Sequence, residues 1–230
     1  MTAAIKQAGG SAEFLMADLA SLVEVRRLAD AVRQSETRLD ILINNAGIGT
    51  AGASRQVSAD GHELRFAVNY LAGFALTHLL LPLIRKSAPA RIVNVASAGQ
   101  QALEFDDVML TRGYSGRRAY CQSKLAQVMF TIDLARELAG SGVTVTALHP
   151  ATYMDTGMVR RAGVTPMSTV AEGAEAILNL AVSTGIEGSS GGYFNGLHEA
   201  RADAQAYDDE ARRRLKALSL ELTGVGGVAG

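Results

Sequence analysis

Tyr120 and Lys124 stand four residues apart in Ala-Tyr-Cys-Gln-Ser-Lys-Leu-Ala, residues 119–126. They open a segment whose apolar residues, Leu125, Val128, Met129, Ile132, Ala135 and Leu138, recur at helical spacing. Residues i and i+4 of a helix project from one face, so a phenol would sit beside an ammonium. A free tyrosine titrates at about pH 10, and a cation within a few ångströms favours the phenolate. Such a phenol can give or take a proton near neutral pH, as chemistry at an alcohol or a carbonyl requires. The same pair can also be two amphipathic side chains on a solvated helix face, since Tyr-x-x-x-Lys recurs by chance in many proteins. The elements around the pair have to decide.

Those elements alternate between strand-like and helical. Glu13–Ala17 is a short apolar run, and Ser21-Leu-Val-Glu24 is a capping box opening a helix with Leu22, Val25, Leu28 and Val32 on one face. Leu39–Asn44 is apolar without clean alternation, as a buried strand is. Asp60-Gly-His-Glu63 caps a long helix to about Lys86, and Arg91–Ala96 is the next strand. The loop from Ser97 to Gly116 leads into the Tyr/Lys helix. Val143–Leu148 reads as a strand, Thr169-Val-Ala-Glu172 caps another helix, and Gly192–Asn195 makes a short last strand. A final helix is expected over 202–223, and Gly224–Gly230 as a flexible tail. Residues 1–230 show no repeat and no linker, so one α/β domain with a parallel sheet is expected. In such sheets sites form at the carboxyl ends of the strands. Asn44-Asn45-Ala46-Gly47, Ser97 and His149-Pro150 then fall at one edge, together with Tyr120.

Composition excludes several partners. A formal charge of −1 leaves no electrostatic footprint for nucleic acid or an anionic membrane surface. The single cysteine, Cys121, rules out an internal disulfide and fits a reducing compartment. His62, His78, His149 and His198 lack metal-ligand spacing, so no metal is expected. The most apolar run, Leu71–Ile84, contains His78 and Pro82 and is too short to span a bilayer. No apolar leader of signal-peptide length opens the chain, so a soluble, cytoplasmic protein is expected.

Taken in order and each on its element, Asn-Asn-Ala-Gly at 44–47, Asn69 in the long helix, Ser97 after its strand and Tyr120-x-x-x-Lys124 resemble the short-chain dehydrogenase/reductase family. The likeness runs from about residue 10 to residue 223. The long Ser97–Tyr120 interval, Tyr-Ser-Gly at 114–116, Ser-Lys-Leu-Ala at 123–126 and Tyr-Phe at 193–194 are most similar to its retinol-dehydrogenase-like branch, although Lys216 stands where that branch often has tryptophan. The resemblance implies a Rossmann-like doubly wound sheet and hydride exchange between NAD or NADP and a hydrophobic alcohol or carbonyl. It implies that Tyr120 exchanges a proton with the substrate oxygen and that Lys124 lowers its pKa and binds the nicotinamide ribose. Ser97 would orient the substrate, and Asn69 would hold a relay water through its helix backbone. Asp18 and Leu19 would border the adenine, and Asn45, Ala46 and Gly47 would line the cofactor. Pro150, Thr152 and Thr156 would hold the nicotinamide carboxamide, although Ala151 replaces the usual glycine and Thr156 comes one residue late. The resemblance also implies a homo-oligomer joined through the helices at 60–86 and 117–139.

One departure stands out. The family begins with a strand and a glycine-rich turn of the Thr-Gly-x-x-x-Gly-x-Gly kind, and neither Gly9-Gly10 nor Gly47-Ile-Gly49 substitutes for it. The fold is therefore expected to be truncated at the N-terminus, lacking the diphosphate cradle and the residues that choose NAD or NADP. Weak cofactor binding follows, as does a second reading: a non-catalytic short form that acts through dimerisation, or a fragment. The apolar residues of the loops at 98–116 and 151–168, Leu103, Phe105, Val108, Met109, Met154, Met158 and Met167, suit a hydrophobic pocket. Finally, Glu13–Ala17 is expected to slide beside Leu39–Asn44, filling a vacancy that would otherwise expose unpaired backbone.

Overall fold

The computed structural model of the chain describes residues 2–50 and 54–226. Five strands form one sheet in the order of the chain, β1 (Ile41–Asn44), β2 (Ala90–Val95), β3 (Val143–His149), β4 (Tyr193–Asn195) and β5 (His198–Ala200). The first four run parallel, and β5 folds back antiparallel on β4. That last turn was not anticipated. Gly196 takes φ 60° at the first of its two loop positions, where a tight hairpin needs the left-handed region.

Helices cover both faces, because adjacent strand residues point to opposite sides. Ile92 and Val145 belong to one core with α2 (Leu22–Ser35), α4 (Ala72–Lys86), α5 (Gly116–Glu137) and α8 (Asp209–Thr223). Val93 and Leu148 face the other way, against α7 (Val170–Val182). Shorter helices are α1 (Thr2–Gln7), α3 (Leu64–Phe66) and α6 (Gly157–Arg161). The sheet is thus wound on both sides, as expected.

The local sequence explains most boundaries. Thr169 and Glu172 form the reciprocal capping box of α7. Ser115 caps α5 by accepting the Arg118 N–H at 3.1 Å. From Leu64 to Lys86 the chain is one continuous helix of 23 residues, in which α3 passes through a π turn, Ala67–Leu71, into α4. It is therefore longer than the apolar run alone indicated. By length and composition it could cross a membrane, yet 67% of its apolar window is buried inside this fold. Its cap is Glu63, whose carboxylate accepts the Phe66 N–H at 2.7 Å, not Asp60. The Asp60 carboxylate instead accepts the Leu22 N–H at 2.9 Å, joining Ser21, the N-cap of α2, whose hydroxyl accepts the Glu24 N–H at 3.4 Å.

The expected pairing of Glu13–Ala17 with Leu39–Asn44 does not form. Among the described residues, 11–18 take no strand, and β1 pairs only with β2. Val25 and Ala29 are fully buried in the core and hold α2 against α4. The approach to α2 is fixed with it, since Ala59 N–H bonds the Ala20 carbonyl and Arg27 takes the Met16 carbonyl at 2.6 Å. Packing of the helix outweighed the open sheet edge. At the other end, Gly224 closes α8 in the left-handed conformation and Val225 is buried; residues 227–230 of the expected tail lie outside the described residues.

Candidate active site

Parallel pairing brings three strand ends to one edge: Asn44 lies opposite Asn94, and Val95 opposite Leu148. The chain leaves that edge through Asn45–Gly49, Ser97–Gly99 and Pro150–Thr152. α5 runs beneath it, with Tyr120 and Lys124 one turn apart and the Lys124 Nζ 5.8 Å from the centre of the Tyr120 ring. Gly99 joins Ser97 to Tyr120. A Cβ on it would stand 3.6 Å from Ser97 Oγ and 3.7 Å from Tyr120 Cε1. The three expected groups therefore converge.

They do not lie on a solvated helix face. α5 is buried nearly all round, and Lys124 is 4% exposed. Its Nζ donates to the Val95 carbonyl at 2.8 Å and to Gln127 Oε1 at 2.9 Å. Burial drives its pKa down to about 7. The expectation that Lys124 lowers the Tyr120 pKa is corrected here. Burial pushes the phenol up, the Ser97 hydroxyl counters this, and Cys121 adds to the rise. A desolvated lysine whose own charge is weakened does not offset the burial of its neighbour.

Asn69 sits in the π turn and grips Ile48 by both its backbone groups. Its Oδ1 accepts the Ile48 N–H at 2.7 Å, while its Nδ2 donates to the Ile48 carbonyl at 3.1 Å and to Ser123 Oγ at 3.0 Å. The Ala72 N–H reaches the Ala67 carbonyl, one residue further back than in an α-helix. Below, Asn44 bonds Thr77 and Asn94, Asn94 bonds Thr131, and Thr131 bonds the Gln127 carbonyl. This buried chain of side chains ends on the residue that holds Lys124.

The nicotinamide end of a cofactor fits this floor. As an ammonium Lys124 has three N–H donors and spends two, which leaves one for a ligand oxygen while it stays protonated. Gly47 leaves room beside it, since a Cβ there would stand 3.2 Å from Asn69 Oδ1 and 3.5 Å from Lys124 Nζ. No diphosphate cradle is found among the described residues, because the helix after β1 starts only at Leu64.

Asn45 and Ala46 are exposed just past β1, and Pro150 is buried just past β3. Thr152 Oγ1 meets His149 Nε2 at 3.1 Å. Thr156 caps α6 by accepting the Val159 N–H at 3.4 Å, which occupies its hydroxyl locally. Asp18 accepts the Ala20 N–H at 2.9 Å in the turn before α2, and Leu19 packs against the core.

The loop residues expected to line a pocket divide. Leu103 and Val108 are buried in the core, with Phe105 and Met109 packed against it. Their side chains thus pack into the fold beside the site. Met158 covers Gly49 in the loop after β1, Met154 packs on Gly173 of α7, and Met167 is exposed, so Met158 is the one of these shown against an edge loop.

Three features escaped the reading of the sequence. Tyr193 and Gln100 both reach the Ser97 carbonyl. Arg65 is buried beside Glu63 and ties Gly49 to Tyr114. A buried ion pair inside an apolar helix is a visible signal in Glu63-Leu-Arg-Phe66; a side chain aimed at a distant carbonyl is not.

Fold and site define the class. The chain belongs to the short chain dehydrogenase family, whose pattern matches residues 1–166, and is with it an NAD(P)-dependent oxidoreductase. It is similar to Retinol dehydrogenase 13 of Homo sapiens, with 41% identity over 226 residues covering 90% of this chain and 67% of that protein. The chain thus spans about two thirds of that relative. Among solved structures, it resembles an uncharacterized protein from Mycobacterium paratuberculosis at 30% identity and a TM-score of 0.74, covering 97% of this chain and 80% of that one. It also resembles Pseudomonas aeruginosa RhlG in its NADP active-site complex, at 29% identity and a TM-score of 0.61, covering 82% and 77%.

Proposed function

We propose that the chain interconverts a hydrophobic alcohol and its carbonyl, with Tyr120 giving or taking the proton at the substrate oxygen. The convergence of Ser97, Tyr120 and buried Lys124 on one strand edge carries this reading. NAD or NADP, when bound, supplies the hydride acceptor for the alcohol or the hydride donor for the carbonyl. Ser97 orients the oxygen: its Oγ accepts the Gly99 N–H at 3.1 Å and keeps its own proton to donate. Burial keeps Tyr120 protonated at neutral pH, which suits protonation of a carbonyl oxygen.

Lys124 uses its remaining proton on the nicotinamide ribose, with Gly47 giving access and Asn69 fixing the Ile48 peptide. The helix backbone at Asn69, widened by the π turn, seats a relay water. Asn45 and Ala46 line the cofactor, Asp18 and Leu19 border the adenine, and Pro150 and Thr152 hold the carboxamide. Thr156 takes a lesser part, because its hydroxyl caps α6. NADP is the cofactor to test first, since three similar structures are NADP or NADPH complexes. Retinoids are the substrates to try first, given the relative's name and Met158 against Gly49 at the edge, with decanal as a plain apolar aldehyde for comparison.

The test is turnover of all-trans-retinal or decanal with NADPH, followed by product chromatography. Tyr120→Phe is expected to lower kcat by about two to four orders of magnitude with little change in cofactor affinity. A variant that keeps most of its activity would overturn the assignment.

A further inference from the structure

Ser97 stands just where the sheet lets go of the main chain. The last bond of that strand pair is the Ala96 N–H to the Leu148 carbonyl at 2.8 Å, and beyond it no ladder orients the Ser97 peptide. Side chains from two other places take over. The Ser97 carbonyl accepts from Gln100 Nε2 at 2.8 Å and from the Tyr193 hydroxyl at 3.0 Å. A carbonyl has two lone pairs, so both are in use. Any rotation of this peptide would strand the buried Tyr193 hydroxyl and the half-buried Gln100 amide.

The bracing is itself anchored. Tyr193 lies on β4, 6% exposed, paired in register with Ala147 of β3. Gln100 is held from behind, its Oε1 accepting the Asp203 N–H at 2.9 Å. Burial pushes the Tyr193 phenol up to about 12, so it stays a donor throughout the working pH range. The Ser97 hydroxyl is bound within the same turn, to the Gly99 N–H. Moving the carbonyl therefore moves the hydroxyl.

We infer that Tyr193 is a positioning residue for the reaction: by bracing the Ser97 carbonyl from β4, it fixes where the Ser97 hydroxyl meets Tyr120 and the substrate oxygen. The inference rests on the proton-transfer reading above and adds a member to it from the far end of the chain.

The experiment is a double-mutant cycle in the full chain, assayed with NADPH and all-trans-retinal across pH. Tyr193→Phe keeps the ring and removes only the hydroxyl. It is expected to lower kcat/KM about threefold to tenfold, mainly through kcat. It should also raise the kinetic pKa assigned to Tyr120, because a displaced Ser97 hydroxyl no longer holds that pKa down. Combined with Ser97→Ala, it should cost nothing beyond Ser97→Ala alone. A purely structural role would lower the melting temperature and leave the pH profile in place, which would overturn the inference. Losses that multiply fully would do the same. If Ser97→Ala itself keeps full turnover, the reading of Ser97 fails, and that outcome is distinct from a silent Tyr193→Phe beside a damaging Ser97→Ala. Hydrogen exchange at the Gly99 amide gives a readout without turnover: it should quicken in Tyr193→Phe, and an unchanged rate counts against the bracing. Should Tyr193→Phe not fold, Gln100→Leu removes the other donor to the same carbonyl and is held to the same non-additivity.

Discussion

Lys124 combines a charge with almost complete burial, and the pH dependence of stability should reveal it. In the unfolded chain its ammonium persists to about 10.5, whereas in the fold it gives up its proton at about 7. Between those values the unfolded state holds more protons, so this group makes stability rise with pH. Below about 7 the full cost of the buried ammonium is present; it fades as pH climbs toward 10.5. Lys124→Met has no such dependence. The melting temperature of that variant, taken relative to the parent, is expected to fall as pH is raised from about 7 to about 10, and parallel curves would refute titration of Lys124. At this scale Tyr120, Lys124 and Ser97 were legible because their spacing and strand-end positions carry chemistry. Their pKa values were not, because burial of α5 on nearly every side depends on what packs around it. Tyr193 was read only as part of a family-like ending, since a hydrogen bond to a carbonyl 96 residues away leaves no trace in composition or period.

The helix from Leu64 to Lys86 carries its own anchor in Glu63 and Arg65, both buried. Arg65 Nε donates to the Gly49 carbonyl at 2.8 Å, its guanidinium also bonds Tyr114, and Tyr114 reaches Glu63 Oε1 at 3.2 Å. One side chain thus ties the loop after β1 to the loop before α5. Arg65→Met would leave Glu63 buried without its compensating charge, and about 3–5 kcal/mol of stability is expected to be lost. Urea unfolding measures this; a loss well under 1 kcal/mol would show that the cluster relaxes easily. Arg65→Lys should restore only part, since an ammonium lacks the planar fork that reaches two loops. Caps made within one helix were readable, as Thr169 with Glu172 shows. Asp60 misled because its carboxylate serves another helix 38 residues away. Glu13–Ala17 misled because an apolar run has no strand without a partner that the rest of the fold leaves in reach.

The four parallel, helix-covered strands were legible from the alternation of elements, whereas the antiparallel β5 was not. The exposure of one side follows from the failed pairing at its edge. Phe14 is 77% exposed, Met16 76% and Ile43 of edge strand β1 38%, so apolar side chains accompany unpaired backbone. Such an edge promotes association between chains. Ile43→Lys is expected to reduce concentration-dependent light scattering on warming while leaving the far-ultraviolet circular dichroism unchanged; scattering that persists would place the contact elsewhere. Strand order equal to chain order has a consequence of another kind. No strand has to be inserted between two earlier ones, so a nascent chain emerging from the ribosome can add β2, β3 and β4 each to an edge already built. Tyr120 and Lys124 would be in place well before Tyr193 is made. The brace on Ser97, the Ser219 hydroxyl on Tyr70 and the bond from Arg26 to the Thr223 carbonyl all wait for the final stretch of synthesis. A polypeptide released early would carry the reactive side chains and lack the alignment that makes them useful.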